Sequence, residues 1–275
     1  SMFFLLKYIK TLSNTGKSIE IPQLLSYIKV TIPKGDFFMN VKDISTHCTR
    51  TEFVGTTVLD TIGLVISGID DTLLQKMNIG TKYHALGLFS SRTGAAGQLT
   101  AIDDAVKATN TEILSIELPR DTKGWGGHGN YIVLGGNDVS DVRHAISMAL
   151  ELTNKNAGEV YISESGHLEF AFSASAGPAI HKAFGTPLGE AFGFMAGSPA
   201  AIGLVMADNA VKSAAVSITK YMTPDIGTSH SNEVIIAISG DASAVKAAVL
   251  EGRQTGLELL IGMGTYPEIP GIPYM

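Results

Sequence analysis

The chain of 275 residues is 45% hydrophobic and 17% charged, which is enough apolar material for the cores of about two domains and excludes a disordered or fibrous protein. Its net charge of −6 argues against nucleic acid as a partner, because phosphate binding needs clustered Lys and Arg. The sequence has no run of about 18 apolar residues, so we expect no membrane partner. The single cysteine, Cys48, cannot form an internal disulfide, which favours a cytoplasmic location.

The first 46 residues differ in charge from the rest of the chain. Residues 1–46 carry six lysines against three acidic residues, so they are treated as an extension of the repeated body. A short amphipathic helix in this extension could dock on a partner, lie on the protein's own surface, or be poorly ordered. The sequence leaves these three roles open.

Beyond the extension, short strands alternate with helices. The expected order is a strand and a helix over about 61–77, a strand at 85–88, a helix ending at 107, a strand at 113–118, a long loop, a strand at 131–134, and a final helix. In the helix that ends at 107, Leu99, Ile102 and Val106 fall on one face, which is the spacing of a helix that buries one side.

The same order of elements occurs twice, about 105 residues apart. The pentapeptide Asp103–Lys107 returns as Asp208–Lys212 with four of five residues identical. The run Asp138–Arg143 returns as Asp241–Lys246, and each run follows an apolar strand and begins with an aspartate suited to a helix N-cap. The chain therefore consists of two copies of one domain.

These patterns predict a compact α/β sandwich of the α+β, ferredoxin-like type, with helices covering a sheet. Residues 47–156 are assigned to the first domain and residues 157–275 to the second. The only polar stretch between the copies is Thr153–Gly158, which is too short for a flexible linker, so we expect the two domains to pack rigidly.

Several long motifs resemble bacterial microcompartment shell proteins, and in particular the tandem-domain shell proteins of propanediol and ethanol utilisation. The motifs lie in the order that the family has them and cover roughly residues 50–265: Thr51–Gly55, Asp60–Val65, Ala85–Leu88, Val106–Glu112, Glu117–Gly124, Gly135–Val142 and Gly227–Glu233. Because a strand and a helix precede Ala85–Leu88, the order resembles that of the circularly permuted members.

The resemblance implies a structural protein without catalytic residues or cofactors. Three chains of two domains each would form a pseudohexameric trimer that tiles the shell with other shell proteins and passes small polar metabolites. The extension would then be a candidate attachment site for encapsulated enzymes. Two other classes stay open, a soluble α/β oxidoreductase and a two-domain module that binds a small molecule.

Two loops are expected to surround a central pore. A glycine-rich loop between strands brings backbone amides close to a passing solute, and in the family this loop and its counterpart lie at the disc centre. The residues assigned to this pore are Lys123, Gly124, Trp125, Gly126, Gly127, His128, Gly227, Thr228, Ser229 and His230.

Other interpretations of these motifs fail. Gly124, Gly126 and Gly129 make a formal G-x-G-x-x-G, but a dinucleotide site needs this motif to open a helix, and here a strand is expected to follow. The histidines lack the spacing of metal ligands, so no metal is expected. The neighbours Ser229 and His230 point in opposite directions on an extended segment, which argues against a nucleophile and its base.

Two further sets of residues follow from the resemblance. Lys107 and Lys212 end equivalent helices, and the family's matching lysine lies at the tile edge, where it contacts a backbone carbonyl of the next disc. Relatives bind a small polar substrate in channels between neighbouring domains, and the corresponding residues here are Arg92, Thr93, Gly94, Glu117 and Tyr161.

Overall fold

The computed structural model describes residues 48, 50–80, 82–119, 128–228, 230–264, 266–269 and 272–275. The elements of the first repeat are β1 (Phe53–Thr57), β2 (Thr61–Ile66), α1 (Asp71–Met77), β3 (Ala85–Ser91), α2 (Ala96–Lys107), β4 (Thr111–Glu117), β5 (Asn130–Gly136) and α3 (Val139–Asn156). After a 3₁₀ turn at Ala157–Glu159, those of the second are β6 (Val160–Ser163), β7 (Gly166–Ser173), α4 (Pro178–Phe184), β8 (Ala191–Ser198), α5 (Ala200–Ser213), β9 (Val216–Met222), β10 (Val234–Gly240) and α6 (Ala242–Gly262).

Each repeat contains one five-stranded antiparallel sheet. The strand orders are β1-β2-β3-β5-β4 and β6-β7-β8-β10-β9, so the two sheets have the same topology. The register is also repeated, since Leu88 lies opposite Val133 and Phe194 lies opposite Ala237. This arrangement confirms the predicted tandem α+β fold. The sequence analysis missed the short strands β1 and β6 that begin each repeat.

The helices begin and bury their faces largely as the sequence indicates. Asp241 is the N-cap of α6, and its carboxylate accepts hydrogen bonds from the backbone N–H groups of Ser243 and Ala244. Asp138 occupies the same position before α3 but makes no such bond. In α2, the predicted face of Leu99, Ile102 and Val106 is buried, and this burial fixes how the helix lies on the sheets.

The apolar core continues across the boundary between the repeats. One face of the second sheet packs with α5 and α6 through residues such as Met195 and Met206. Phe192 and Phe194 point to the other face, where both rings pack against Phe184 of α4 and share one apolar cluster with Leu99 of the first repeat. The two repeats therefore share one core.

None of the described helices contains an apolar stretch that could span a lipid bilayer.

Candidate functional site

The junction between the repeats is built around a buried carboxylate. Asp103, on α2 of the first repeat, accepts hydrogen bonds from the backbone N–H groups of Gly177, Ala179 and Ile180 at 2.7, 2.9 and 3.1 Å. Gly177 is the N-cap position of α4 and has no side chain to offer. Asp103 therefore supplies from the first repeat the cap that a helix start requires.

Lys107 lies at the rim of the same junction. Its ammonium donates to the carbonyl of Ser175 in the second repeat at 2.9 Å and forms ion pairs with Asp103 and Asp104 at 3.2 and 2.7 Å. Although burial lowers the pKa of Lys107, the hydrogen bonds and charges of Asp104 and Asp103 raise it overall. Lys107 is thus held inside its own chain.

Lys212 has a different environment from its counterpart Lys107. Its side chain is 71% exposed, against 33% for Lys107, and its ammonium pairs with Asp208 at 2.6 Å. The sequence assigned both lysines to a tile edge. The role of both lysines at a tile edge stays a prediction, and Lys212 is the more exposed of the two.

A buried ionic cluster lies at the ends of the two predicted pore loops. His128 follows the first loop, Glu233 follows the second, and the Nδ1 atom of His128 pairs with the Glu233 carboxylate. The same carboxylate contacts Nε2 of His167 on β7 at 3.1 Å. Burial raises the pKa of Glu233, but the hydrogen bonds from His128 and His167 outweigh it and hold this pKa at about 2. The cluster therefore joins the two loop ends through a buried charge.

Glu169 adds a second carboxylate next to this cluster. It accepts hydrogen bonds from the backbone N–H groups of Ala95 and Ala96 at 3.1 and 3.3 Å, at the start of α2. Burial raises the pKa of the Glu169 carboxyl. The start of α2 in the first repeat is thus also held by a side chain of the second.

His128, which the sequence assigned to the pore, is buried in the chain. Only 3% of the residue is exposed, and its role in a pore stays a prediction. The buried Glu233 carboxylate accounts for this burial, because a buried charge requires a partner. His128 anchors the end of its loop. Lys123, Gly124, Trp125, Gly126, Gly127 and Ser229 lie outside the described residues.

The second loop is shaped by a glycine and a buried hydroxyl. Gly227 has a positive φ of 89°, a conformation that suits glycine. The hydroxyl of the buried Thr228 donates to the carbonyls of Thr223 and Ser231. His230 is exposed and lies 3.8 Å from a carboxylate oxygen of Asp225. Of the described loop residues assigned to the pore, His230 is the one whose ring is available to solvent.

Four of the five predicted channel residues lie at one end of the first sheet. Arg92, Thr93 and Gly94 follow β3, and Gly94 has a φ of 77°. Glu117 ends β4 and pairs with Tyr131 of β5, a strand that also pairs with β3. Arg92 and Glu117 are exposed. This end of the sheet offers charged and polar groups to a solute.

Two buried amides lie behind this loop. Gln98 Nε2 donates to the carbonyl of Thr93 at 3.0 Å, and Asn130 Nδ2 donates to that of Gly94 at 2.9 Å. The amide oxygens of Gln98 and Asn130 accept no hydrogen bond from the described residues. Buried polar atoms of this kind are places for water or a small hydroxyl compound.

Tyr161 does not belong with the other channel residues. It is 5% exposed, packs edge-on against Phe170, and donates a hydrogen bond from its hydroxyl to Glu159 at 3.1 Å. Burial, together with the charge of Glu159, raises the pKa of Tyr161 to about 12. The ring of Tyr161 is part of the core of the second repeat, so its role in a channel stays a prediction that the other four residues support better.

The glycine pattern that ends at Gly129 leads directly into a strand. Strand β5 begins at Asn130, directly after Gly129, so the glycine pattern opens a strand and lacks the context of a dinucleotide site. Within the described residues, no group of three or more His, Cys, Asp or Glu side chains is arranged to hold a metal ion.

Comparisons with known proteins cover most of the chain. Residues 85–165 and 191–268 match the BMC domain family. The bacterial microcompartment shell protein PduB of Citrobacter freundii is 50% identical over 221 residues, which are 80% of this chain and 82% of the relative. PduB of Limosilactobacillus reuteri is 45% identical over 225 residues, 82% of this chain and 94% of the relative.

Solved structures show the same similarity. The crystal structure of a trimeric bacterial microcompartment shell protein PduB has a TM-score of 0.79 and 45% identity, covering 82% of this chain and 99% of the other. That of EtuB from Clostridium kluyveri has a TM-score of 0.80 and 46% identity, covering 82% and 100%. The similarity therefore extends over both repeats and over almost the whole of these structures.

Proposed function

Since the chain belongs to the bacterial microcompartment shell proteins, we propose that three copies close into a ring of six domains that forms one tile of the shell. The chain is a structural shell protein and not an enzyme. The tandem repeat is the observation that supports the ring, because two domains with the same topology make up one third of a ring of six domains. The similarity to a trimeric PduB supports this number of copies.

Native mass spectrometry and electron microscopy test the ring. A tile has a mass of about 87 kDa, three times that of the 29.0 kDa chain, and assembles into flat sheets. A stable monomer as the dominant species would contradict the proposal. Neither an oxidoreductase nor a soluble binding module gains support from the relatives, which are shell proteins.

The end of the first sheet is our candidate for a metabolite channel. Arg92, Thr93, Gly94 and Glu117 offer polar groups along which a small alcohol could exchange hydrogen bonds with water for bonds with protein at little net cost. Gln98 and Asn130 supply buried acceptors beside them. The test measures alcohol entry into shells built with R92A/E117Q tiles. Unchanged entry relative to wild-type shells rejects this channel.

The loops around residues 123–128 and 227–230 are our candidate for the centre of the ring. Their anchored ends support this, since the His128–Glu233 pair fixes both loops to the junction of the repeats. The exposed His230 is the candidate to face a solute. In shells, H230A tiles should change the entry of small anions, measured beside wild-type tiles. An unchanged rate removes His230 from the pore.

The tile edge is assigned to Lys212 and Lys107, as in the family. Lys212 supports this assignment better, because its exposed ammonium is available to a carbonyl of a neighbouring tile. Residues 1–46 are assigned to attachment of encapsulated enzymes. Deletion of residues 1–38 should leave trimers intact, because the compact unit begins at Ser45, and should reduce the enzyme content of purified shells. Unchanged content rejects this attachment role.

A further inference from the structure

The last ten residues of this sequence lie outside the pattern that the two repeats share. Helix α6 ends at Gly262, and Gly264 has a positive φ of 94°, a turn conformation that suits glycine. Residues 266–275, of which 266–269 and 272–275 are described, are called the tail here. In the first repeat, α3 leads through the 3₁₀ turn directly into β6. The tail is therefore an addition to the second repeat.

The tail pairs with the edge of the second sheet. Strand β6 is the outermost strand of that sheet, and its Ile162 exchanges two backbone hydrogen bonds with Glu268, at 2.9 and 2.6 Å. When an extended peptide pairs with an edge strand in this way, main-chain hydrogen bonds give affinity and side-chain pockets give specificity. The edge of the second sheet thus binds a peptide segment in extended form.

A buried carboxylate holds the other end of the tail. Glu159 is 0% exposed and accepts hydrogen bonds from the backbone N–H groups of Tyr274 and Met275, both at 2.9 Å. It also accepts from the guanidinium of Arg253 at 2.9 and 3.1 Å and from the hydroxyl of Tyr161 at 3.1 Å. Because Arg253 and Tyr161 belong to the body of the repeat, the buried charge keeps two partners without the tail. Glu159 is therefore a preformed acceptor.

The last two side chains of the tail contact different surroundings. Strand β7 continues past its pairing with β6, and there the backbone N–H of Phe172 donates to the hydroxyl of Tyr274 at 3.2 Å. Burial raises the pKa of Tyr274 to about 12. The side chain of Met275 packs against the apolar cluster that the second sheet forms with α5 and α6. A tyrosine followed by an apolar residue matches these surroundings.

The charged pair that holds the tail belongs to the second repeat alone in the described part of the chain. Glu159 directly precedes β6, and its counterpart before β1 is Glu52, which is exposed. Counted from the helix start, the counterpart of Arg253 on α3 is Leu150, which is 8% exposed. The shared fold therefore does not require the Glu159–Arg253 pair.

Between its two anchors the tail is held weakly. Tyr266 and Ile272 are 82% and 85% exposed, and Ile269 is 43% exposed. A segment that buries so few apolar side chains opens at low free-energy cost. The site on the second repeat is thus able to exchange its occupant without unfolding of the repeat.

We infer that the second repeat carries a binding site for an extended peptide, formed by Glu159, Arg253 and the edge of β6 and β7. The tail of the same chain fills this site in the structure, and the tail of a second copy is the occupant that replaces it. The occupant is a second copy because every copy carries both the site and the segment that fits it. The inference does not rest on the proposed ring.

A full-length variant with a disabled tail tests the site. Y274A/M275P removes the phenol ring and one of the two N–H donors to Glu159. A fluorescent peptide of residues 264–275 stands for the tail of a second copy, and fluorescence anisotropy measures its binding. The peptide should bind this variant at least about tenfold more tightly than wild type, because the intact tail competes at a millimolar effective concentration. Equal binding to both proteins, or none to a variant that circular dichroism shows to be folded, overturns the inference.

Two controls make the result specific. Full-length Ile272→Ser should bind the peptide as weakly as wild type, because this side chain is 85% exposed. A peptide with N-methyl groups at Tyr274 and Met275 lacks both donors to Glu159, and it should bind Y274A/M275P at least about tenfold more weakly than the unmodified peptide. Undiminished binding of the methylated peptide would place it elsewhere on the protein and contradict the assignment.

A milder full-length variant gives a second measurement. Tyr274→Phe removes only the hydroxyl that accepts from Phe172 and keeps the ring and both N–H donors, so the fold is preserved. Its weakened tail should let the peptide bind about threefold more tightly than to wild type. If binding to this variant is no tighter than to wild type, the tail does not compete for the peptide at this site and the inference fails.

Discussion

The carboxylate of Asp103, in the first repeat, lies 2.7 Å from the backbone nitrogen of Gly177, in the second, and accepts its hydrogen bond. A single aspartate thus caps a helix across the domain boundary. Together with the shared apolar cluster, this bond indicates that the two repeats unfold as one unit.

Replacing Asp103 by Ala should destabilise the chain by about 3 kcal/mol, because it leaves three backbone N–H groups at the start of α4 without an acceptor. Chemical denaturation measures the loss. Asp104→Ala is the matched control, since it removes a half-exposed ion pair with the same lysine and should cost under about 1 kcal/mol. Equal effects of the two variants would contradict the role of the cap.

Replacing Glu233 by Gln should also cost about 3 kcal/mol, because both His128 and His167 lose a buried charged partner. The thermal midpoint should fall by roughly 6–12 °C. Glu151→Gln is the control, since Glu151 forms an exposed pair with Lys155 and should shift the midpoint little. A stable Glu233→Gln variant would show that the cluster does not hold the loop ends.

The contribution of Glu233 should depend on pH with a definite sign. Its pKa of about 2 in the folded chain lies below the ordinary value of 4.5, so its ionised form stabilises the fold at neutral pH and this stabilisation is lost as pH falls through the folded pKa. The stability difference between wild type and Glu233→Gln should therefore be full above about pH 5 and shrink toward pH 2. Denaturation at pH 7, 4 and 3 measures it, and a constant difference would disagree with this assignment.

Replacing Gly129 by Ala should destabilise the end of the first of the two predicted pore loops. An added β-carbon would lie 2.3 Å from the carbonyl oxygen of Ser91, and this backbone atom cannot move aside without disturbing the pairing of β3 with β5. The expected cost is about 2 kcal/mol or more. Gly68→Ala is the control, because its β-carbon would meet open space. Equal thermal midpoints for the Gly129→Ala and Gly68→Ala variants would show that β3 and β5 accommodate the added β-carbon.

Lys107 and Lys212, the two lysines assigned to the tile edge, should respond differently to replacement by Ala. Lys212→Ala should abolish or weaken the assembly of tiles into flat arrays. It should change thermal stability by less than about 1 kcal/mol, because the ion pair that it removes is exposed. Lys107→Ala should lower stability by about 1–2 kcal/mol, because it removes the bond to Ser175 across the repeats. Electron microscopy of the tile arrays and native mass spectrometry of the trimer are carried out on each variant. Normal tile arrays from the Lys107→Ala, Lys212→Ala double variant would refute the edge assignment.

Much of the fold could be read from local sequence. The spacing of Leu99, Ile102 and Val106 predicted the buried face of α2, and the paired motifs predicted two repeats, because periodicity and repetition are local properties. The burial of Asp103 could not be read in this way. The pentapeptides that contain Asp103 and Asp208 are nearly identical, and only the neighbouring repeat makes one aspartate buried and the other exposed.

The surroundings of the predicted site residues could be predicted less well for a related reason. Arg92 and Glu117 lie at the same end of the first sheet, whereas Tyr161 and His128, which were assigned to a channel and a pore, are buried in the chain. Glu233 and His167 were missed as a pair because they are 66 residues apart. Contacts over such separations follow from tertiary packing, which no local pattern encodes.

The His128–Glu233 pair also bears on why two repeats share one chain. Glu233 directly precedes β10, and Gly129 directly precedes β5, so the two residues occupy equivalent positions in the two repeats. The second repeat has a glutamate at this position, whereas the first has a glycine that leaves no room for a β-carbon. A ring of six identical polypeptides must place the same residue at every such position. Gene duplication and fusion remove that constraint, so that the two kinds of junction around such a ring can diverge independently.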